Sequence, residues 1–144
     1  MILIRLRSNS PRGLHPRGRN FTTAGFHAIM NISFEEFKKL RIRIGLIVEA
    51  ERVEGTDKLL KLKVDFGDDP SASSGRLRRQ IVSGIAEFYK PEQLIGKQFP
   101  FVVNLEPRII RGIESQGMIL AVSSNEKIVL LKPNKKVPAG SFVG

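Results

Sequence analysis

The sequence predicts an all-β fold, a small closed or nearly closed barrel of at least five strands. Three observations predict it. Apolar and polar residues alternate in several short segments, the period of a half-buried strand. No long amphipathic helices alternate with those segments, which argues against a parallel α/β sheet. Closure removes most exposed strand edges, which suits a chain of 144 residues with a modest core.

The first organised segment is Ser33-Phe34-Glu35-Glu36. Ser33 is placed to cap a helix and Glu36, three residues on, to bond back to it. Phe34 and Phe37 then share a face, so the spacing predicts a short helix over 34–39. Arg41-Ile42-Arg43-Ile44 alternates, and Leu46-Ile47-Val48 continues it as the first strand. Glu54-Gly55-Thr56-Asp57-Lys58 is a turn. Leu60, Leu62, Val64 and Phe66 alternate with Lys61, Lys63 and Asp65, giving a second strand with one apolar and one charged face. Gly67 to Arg79 reads as a long polar hairpin connection. Gln80 to Ile85 is a third strand. Pro91 to Gly96 reads as one helical turn, with proline at its start and glycine at its end. Phe99, Phe101 and Val103 alternate as a fourth strand, in which Pro100, lacking an N–H, should face an edge or bulge. Met118 to Val122 is a fifth strand and Ile128 to Leu131 a further one, and Pro133 to Gly144 holds turn residues around Val137 and Phe142. An oligonucleotide-binding barrel fits this count and spacing, which do not separate it from another small barrel or a sandwich.

Residues 1–29 differ in kind. They hold Arg5, Arg7, Arg12, Arg17 and Arg19, no acidic residue and no sustained period. They read as a basic flexible arm, as an Arg-rich targeting peptide, or as a start assigned too far upstream, since Met30 directly precedes the organised part. The last reading is favoured, with the domain at 30–144.

Lys+Arg 24 against Asp+Glu 14 gives a net charge of +10. This points to a polyanionic partner, nucleic acid or an anionic membrane surface, although a basic surface also keeps small proteins soluble. The absence of cysteine excludes disulfides and thiolate-bound zinc. Both histidines, His15 and His27, lie in the N-terminal segment, so the main body has no imidazole for a metal or a triad. No apolar run approaches the roughly 20 residues of a membrane span. A soluble, cytoplasmic protein without a cofactor is expected. Val82-Ser83-Gly84 lacks the first glycine of a nucleophile elbow. Asp68-Asp69 and Glu35-Glu36 are adjacent carboxylates, which point apart and make poor acid/base pairs. An enzyme is therefore not expected.

Basic residues are more informative. Arg41, Arg43, Lys61 and Lys63 alternate with apolar positions and would form one basic face if their strands pair. Arg76, Arg78 and Arg79 close the long connection, and Arg108 and Arg111 flank Ile109-Ile110. All are candidates to neutralise phosphates, against the commoner fate of a solvated strand face. Phe66, Phe99 and Phe101 sit at core phase, and no pair of exposed strand aromatics offers a platform for single-stranded bases. Folded RNA read by backbone and shape fits better.

Val82-Ser83-Gly84-Ile85-Ala86, then Tyr89 to Lys97, then Val103-Asn104-Leu105-Glu106-Pro107-Arg108 resemble the tRNA-binding domain at the C-terminus of bacterial methionyl-tRNA synthetases. The same domain occurs in stand-alone tRNA-binding proteins and in auxiliary factors of animal synthetase complexes. Glu114 to Met118, Leu130 to Pro133 and Val137 to Gly140 continue the match in order, over about residues 33–144. The chain looks most like archaeal stand-alone chains of the synthetase β-subunit type.

The resemblance implies an oligonucleotide-binding, five-stranded Greek-key barrel with a short N-terminal helix and extra C-terminal strands. It implies a homodimer built on those strands, shape-based tRNA binding, and methionyl-tRNA synthetase as a possible partner. Carried over by position, the contacts are Ser83, Asn104 and Arg108, with Lys58 in the turn and Ser115 and Met118 beyond. Asn104 and Ser83 would bond phosphate, ribose or base edges, Arg108 would pair with phosphate, and Met118 would pack beneath the site. Against these stand plainer roles, a turn residue for Asn104 and a strand bulge for Ser83-Gly84. Many family members carry His-Pro near Glu54-Gly55 and a basic residue at Ile109. Both are missing here, and Arg111 or the Arg76–Arg79 segment, Arg79 included, would substitute. A second branch of the resemblance is a secretion-type chaperone that shares the barrel and the opening pattern Phe37 to Arg43. The retained Val-Ser-Gly-Ile-Ala and Ser-Gln-Gly-Met segments favour RNA over unfolded peptides.

Overall fold

Strands form where apolar residues alternate or run together. The computed structural model describes residues 30–144. In order the elements are α1 (Phe34–Lys38), β1 (Ile42–Arg52), β2 (Leu60–Asp68), β3 (Arg76–Ser83), α2 (Pro91–Leu94), β4 (Gln98–Val102), β5 (Arg108–Ile110), β6 (Ile113–Ser115), β7 (Met118–Ile119), β8 (Ala121–Ser124), β9 (Lys127–Leu130) and β10 (Phe142–Val143). The readings of residues 1–29 lie outside the described residues.

The chain divides into two units at Lys39 and Leu40. Helix α1 belongs to the first. Its capping box is present: Glu36 N–H donates to Ser33 Oγ at 3.1 Å, and Ser33 N–H donates to Glu36 Oε1 at 3.2 Å. The Phe34 and Phe37 rings lie 6.4 Å apart on one face, as their spacing requires.

The second unit is the barrel. Its sheet runs β3-β2-β1-β4-β7, with β10 added to β1 and every pairing antiparallel. This is the oligonucleotide-binding, Greek-key order expected. The hairpins β5–β6 and β8–β9 stand as separate two-stranded sheets. Strand β1 is long because it serves two neighbourhoods. Residues 42–46 pair with β4, and residues 46–52 pair with β2. A register shift between Ile47 and Glu49 places Val48 as an extra residue on β1, which bends the strand.

Three residues before the bulge, Gly45 makes room for the aromatic core. A Cβ there would lie 2.3 Å from Val64 Cγ1 and 2.7 Å from Phe66 Cε1. The vacated space holds Phe66 against Phe101, edge to face, with centroids 5.6 Å apart and planes at 86°. Ile47, Leu60, Leu62, Val64, Ile81 and Ile119 fill the rest of the interior and are buried. The single turn α2 buries Leu94 against β1. Tyr89 Oη accepts the Leu130 N–H at 3.1 Å and ties the β8–β9 hairpin down.

The sheet closes at a seam made largely by side chains. The β3 edge meets residues 114–117 through Gln116 N–H to Gln80 O at 2.8 Å. Gln80 N–H then bonds Gln116 Oε1 at 3.1 Å, and Val82 N–H bonds Ser115 Oγ at 3.0 Å. The tail supplies the extra C-terminal pairing. Gln98 brackets Val137, its Nε2 donating to the carbonyl at 2.5 Å and its Oε1 accepting from the N–H at 3.1 Å. Gly140 N–H donates to Ile44 O at 2.7 Å, and Ile44 N–H donates to Ser141 O at 2.8 Å. At φ +92°, Gly140 presses so closely on Phe66 that a Cβ would sit 2.1 Å from its carbonyl oxygen.

Three readings of the sequence change. The long polar connection is short: β2 runs to Asp68 and β3 starts at Arg76, so only 69–75 turn. Asp65 opposite Arg78 and Asp68 opposite Arg76 extend the ladder as ion pairs, a pattern that apolar alternation does not reveal. The fifth strand breaks at Leu120, whose N–H turns to Pro100 O at 3.1 Å. Pro100 sits inside the sheet opposite Ile44. Ile44 spends both its backbone groups on residues 140–141, so this is the non-bonded pair of the β1–β4 ladder, and the missing N–H falls instead on the side of Leu120, where β7 ends.

Gly45→Ala should lower stability by about 1–3 kcal/mol through overpacking, read from the urea midpoint. An unchanged midpoint would mean that β1 yields at this position.

Candidate nucleic-acid interface

The apolar requirements of the barrel leave one end of β3 polar. Asp65 on β2 faces outward, yet its side chain is only 4% exposed because two arginines cover it. Arg76 Nε and Nη2 each lie 3.0 Å from Asp65 Oδ2, and Arg78 Nε lies 3.5 Å from the same oxygen. The Gly67 N–H donates to Oδ1 at 2.7 Å. Burial pushes the Asp65 pKa up, but the Gly67 hydrogen bond and the Arg76 and Arg78 charges outweigh it and hold it below its ordinary 3.8.

Arg79 takes the opposite phase. Its Nη1 donates to the carbonyl of Val103 and, at 3.3 Å, to that of Gln116, pinning the guanidinium across the seam. Asn104 Oδ1 accepts the Arg41 N–H at 2.8 Å, which fixes the loop after β4 against the start of β1. Together these elements enclose an open groove of about 550 Å³. Its walls are Leu77, Arg78 and Arg79 from β3, residues 103–107 from the loop, and Gln116 from the seam.

Arg108 follows directly at the start of β5. The β5–β6 hairpin turns through Arg111 at φ +53° and Gly112 at φ +79°, a two-residue turn with both residues left-handed. Arg108 and Arg111 are both exposed, and Ile109 is 69% exposed between them. The hairpin thus presents two exposed cations, the first next in sequence to the groove residue Pro107.

The remaining sequence candidates sit differently. Ser115 is 4% exposed, and besides accepting from Val82 it donates to Gly117 O at 3.2 Å, so it works in the seam. Ser83 pairs with Leu60, is 2% exposed, and its hydroxyl has no hydrogen-bond partner among the described residues. Met118 is half-buried opposite Val102. Lys58 is exposed on the β1–β2 turn, outside the groove lining, with its carbonyl accepting from Ala86 N–H at 3.0 Å. The structure therefore brings Asn104 and Arg79 to one groove, with Arg108 next in sequence to its lining residue Pro107, while Arg111 sits at the hairpin turn outside the lining. Sequence reasoning missed Glu106 and Gln116 as groove residues, although each lies inside a matched motif.

The basic face expected from Arg41, Arg43, Lys61 and Lys63 does not form. Lys61 Nζ lies 2.5 Å from Glu51 and Lys63 Nζ 3.0 Å from Glu49, their cross-strand neighbours. Arg43 turns to Gly140 O at 2.9 Å and covers the Phe142 ring at 4.8 Å. The bulge at Val48 carries β1 on to Glu49 and Glu51, which set the opposing charges. Among the described residues no helix is long and apolar enough to cross a membrane.

A family model described as "Putative tRNA binding domain" matches residues 42–142. The chain belongs to this tRNA-binding domain family. A methionine–tRNA ligase of Methanothrix thermoacetophila is 53% identical over 109 residues, covering 76% of this chain and 15% of the ligase. That of Archaeoglobus fulgidus is 49% identical over 112 residues, covering 78% of this chain and 16% of the ligase. The chain thus spans about a sixth of the length of these relatives. Among solved structures, a MetRS-related protein from Pyrococcus horikoshii matches with TM-score 0.72 and 39% identity, covering 81% of this chain and all of that one. The chaperone CsaA from Bacillus anthracis matches with TM-score 0.68 and 33% identity, covering 80% of this chain and all of that one.

Because the folded Asp65 pKa is lowered, its stabilisation is complete above the ordinary 3.8 and is lost as pH falls below that through the folded value. Asp65→Asn should cost about 1–3 kcal/mol at neutral pH. It should also flatten the acid limb of stability below pH 3.8, followed by urea unfolding at stepped pH. A parallel limb in the variant would assign acid sensitivity elsewhere.

Proposed function

We propose that this chain is a non-catalytic tRNA-binding module of the cytoplasm that reads a folded RNA by backbone and shape and acts in trans for methionyl-tRNA synthetase. The observation that carries the reading is the groove of Arg78, Arg79 and Asn104, followed in sequence by the Arg108–Arg111 hairpin, on a member of a tRNA-binding family. The pinned Arg79 gives rigid walls, and the exposed arginines give phosphate contacts whose worth depends on salt. The likeness to the methionine–tRNA ligases and to the MetRS-related Pyrococcus protein supports the link to methionyl-tRNA synthetase. Binding both enzyme and RNA would raise the local tRNA concentration by linking two weak contacts.

Residues 30–144 suffice for this in the proposal, and residues 1–29 are dispensable. A second copy pairs through the C-terminal strands. Val122 and Val129 lie directly opposite each other on β8 and β9 and are 42% and 48% exposed, beside an exposed Leu131. A second reading, binding of unfolded peptides, is supported by the chaperone neighbours that share the barrel.

Titration of folded tRNA across a salt series should give a log–log slope of about −0.7 to −0.9 per phosphate neutralised, for the full chain and the 30–144 fragment alike. A flat response would remove the electrostatic reading, and peptide binding with only non-specific RNA affinity would shift the reading to the chaperone. Asn104→Ala with Arg108→Ala should weaken tRNA binding about tenfold or more, with only the small loss of stability, about 0.5–1.5 kcal/mol, that freeing the Arg41 N–H brings. Undiminished affinity would place the RNA on another surface. Val129→Asp should convert a dimer to a monomer in light scattering.

A further inference from the structure

The groove contains one group that a phosphate-binding surface does not want. Glu106 lines it, placed between Asn104 and Arg108 in sequence. A carboxylate repels phosphate, so its presence weakens a purely backbone contact. It gains where the RNA offers donors: a ribose 2′-OH offers one, and base edges offer N–H groups, two of them side by side on guanine.

The rest of the groove suits a base. Its volume of about 550 Å³ falls within the range of about 300–1,000 Å³ typical of small-molecule sites. Leu77, Val103, Leu105 and Pro107 supply apolar walls. Arg79, its Nη1 shared between the Val103 and Gln116 carbonyls, places in the lining a guanidinium, a group on which bases stack. Arg78 at the rim remains 52% exposed and within reach of the attached phosphate. We propose that this groove takes one unpaired nucleotide of the RNA, and that Glu106 selects guanine.

The selection follows from donor geometry. Guanine places its N1–H and N2–H₂ side by side on one edge, matching both oxygens of a carboxylate. Adenine and cytosine offer one exocyclic amine, and uracil offers a single ring N–H between two carbonyls that the carboxylate repels. A bidentate pair of this kind discriminates by about tenfold or more. The inference rests on the tRNA-binding reading and adds to shape recognition one base-specific contact.

The test uses the full chain, nucleoside monophosphates as probes and backbone-amide NMR as the readout. GMP should shift the amides of Asn104, Leu105, Glu106 and Gln116, about tenfold more tightly than UMP, with AMP and CMP between. Glu106→Gln should abolish the preference for GMP while folded tRNA binds as tightly or more tightly, since a charge that repels phosphate is gone. Arg108→Ala should do the reverse, flattening the tRNA salt slope and leaving the GMP shifts in place. Equal responses to the four nucleotides, shifts at other residues, or no response at millimolar GMP would overturn the proposal. If tRNA still binds in those cases, only the guanine site fails. If tRNA does not bind at all, the tRNA-binding reading itself fails.

Discussion

The close packing of the Val64, Phe66 and Phe101 side chains on the bare backbone of Gly45 sets the rest of the structure. Without a side chain at that point, β1 lets Phe66 and Phe101 meet beneath it. The strand then bends from β4 toward β2, and the bend curls the sheet far enough for β3 to reach residues 114–117. Seam, pinned Arg79 and groove all depend on that curl. Glycine carries an entropic cost in a strand, and here the aromatic contact it admits offsets it.

Closure by side chains shapes the interface. A continuous β3–β7 ladder would consume the backbone of residues 115–117. Instead Ser115 and Gln116 stand in for a missing strand, and the Gln116 carbonyl and side chain become part of the groove wall. The groove therefore lies where the sheet is least regular. Recognition surfaces often occur at such places, because irregular backbone leaves polar groups that a ladder would satisfy internally.

Much of the fold was legible because it rests on local rules. Alternation at Leu60, Leu62, Val64 and Phe66 set β2, and Ser33 with Glu36 set the helix start. What failed involved register. The ion pairs of Lys61 and Lys63 need the cross-strand identity of Glu51 and Glu49, which a single strand does not contain. The extension of β3 to Arg76 was hidden because its outward partners are charged on both strands. At the interface, Asn104 and Arg108 were visible through the matched motif. The place of Glu106 in the groove lining was not, since only the folded loop brings it into one groove with Arg78 and Arg79.

The stapling of residues 137–143 across β1 bears on how the chain is made. Ile44 is among the first barrel residues synthesised, and its backbone partners Gly140 and Ser141 are nearly the last. Such sequence-distant pairing slows folding, since loop closure precedes any reward. On the ribosome, β1 must wait with an open edge until residue 143 has cleared the exit. During that interval the nascent barrel presents unpaired strand to its neighbours, so its yield in the cell depends on translation speed and on chaperone cover as much as on final stability.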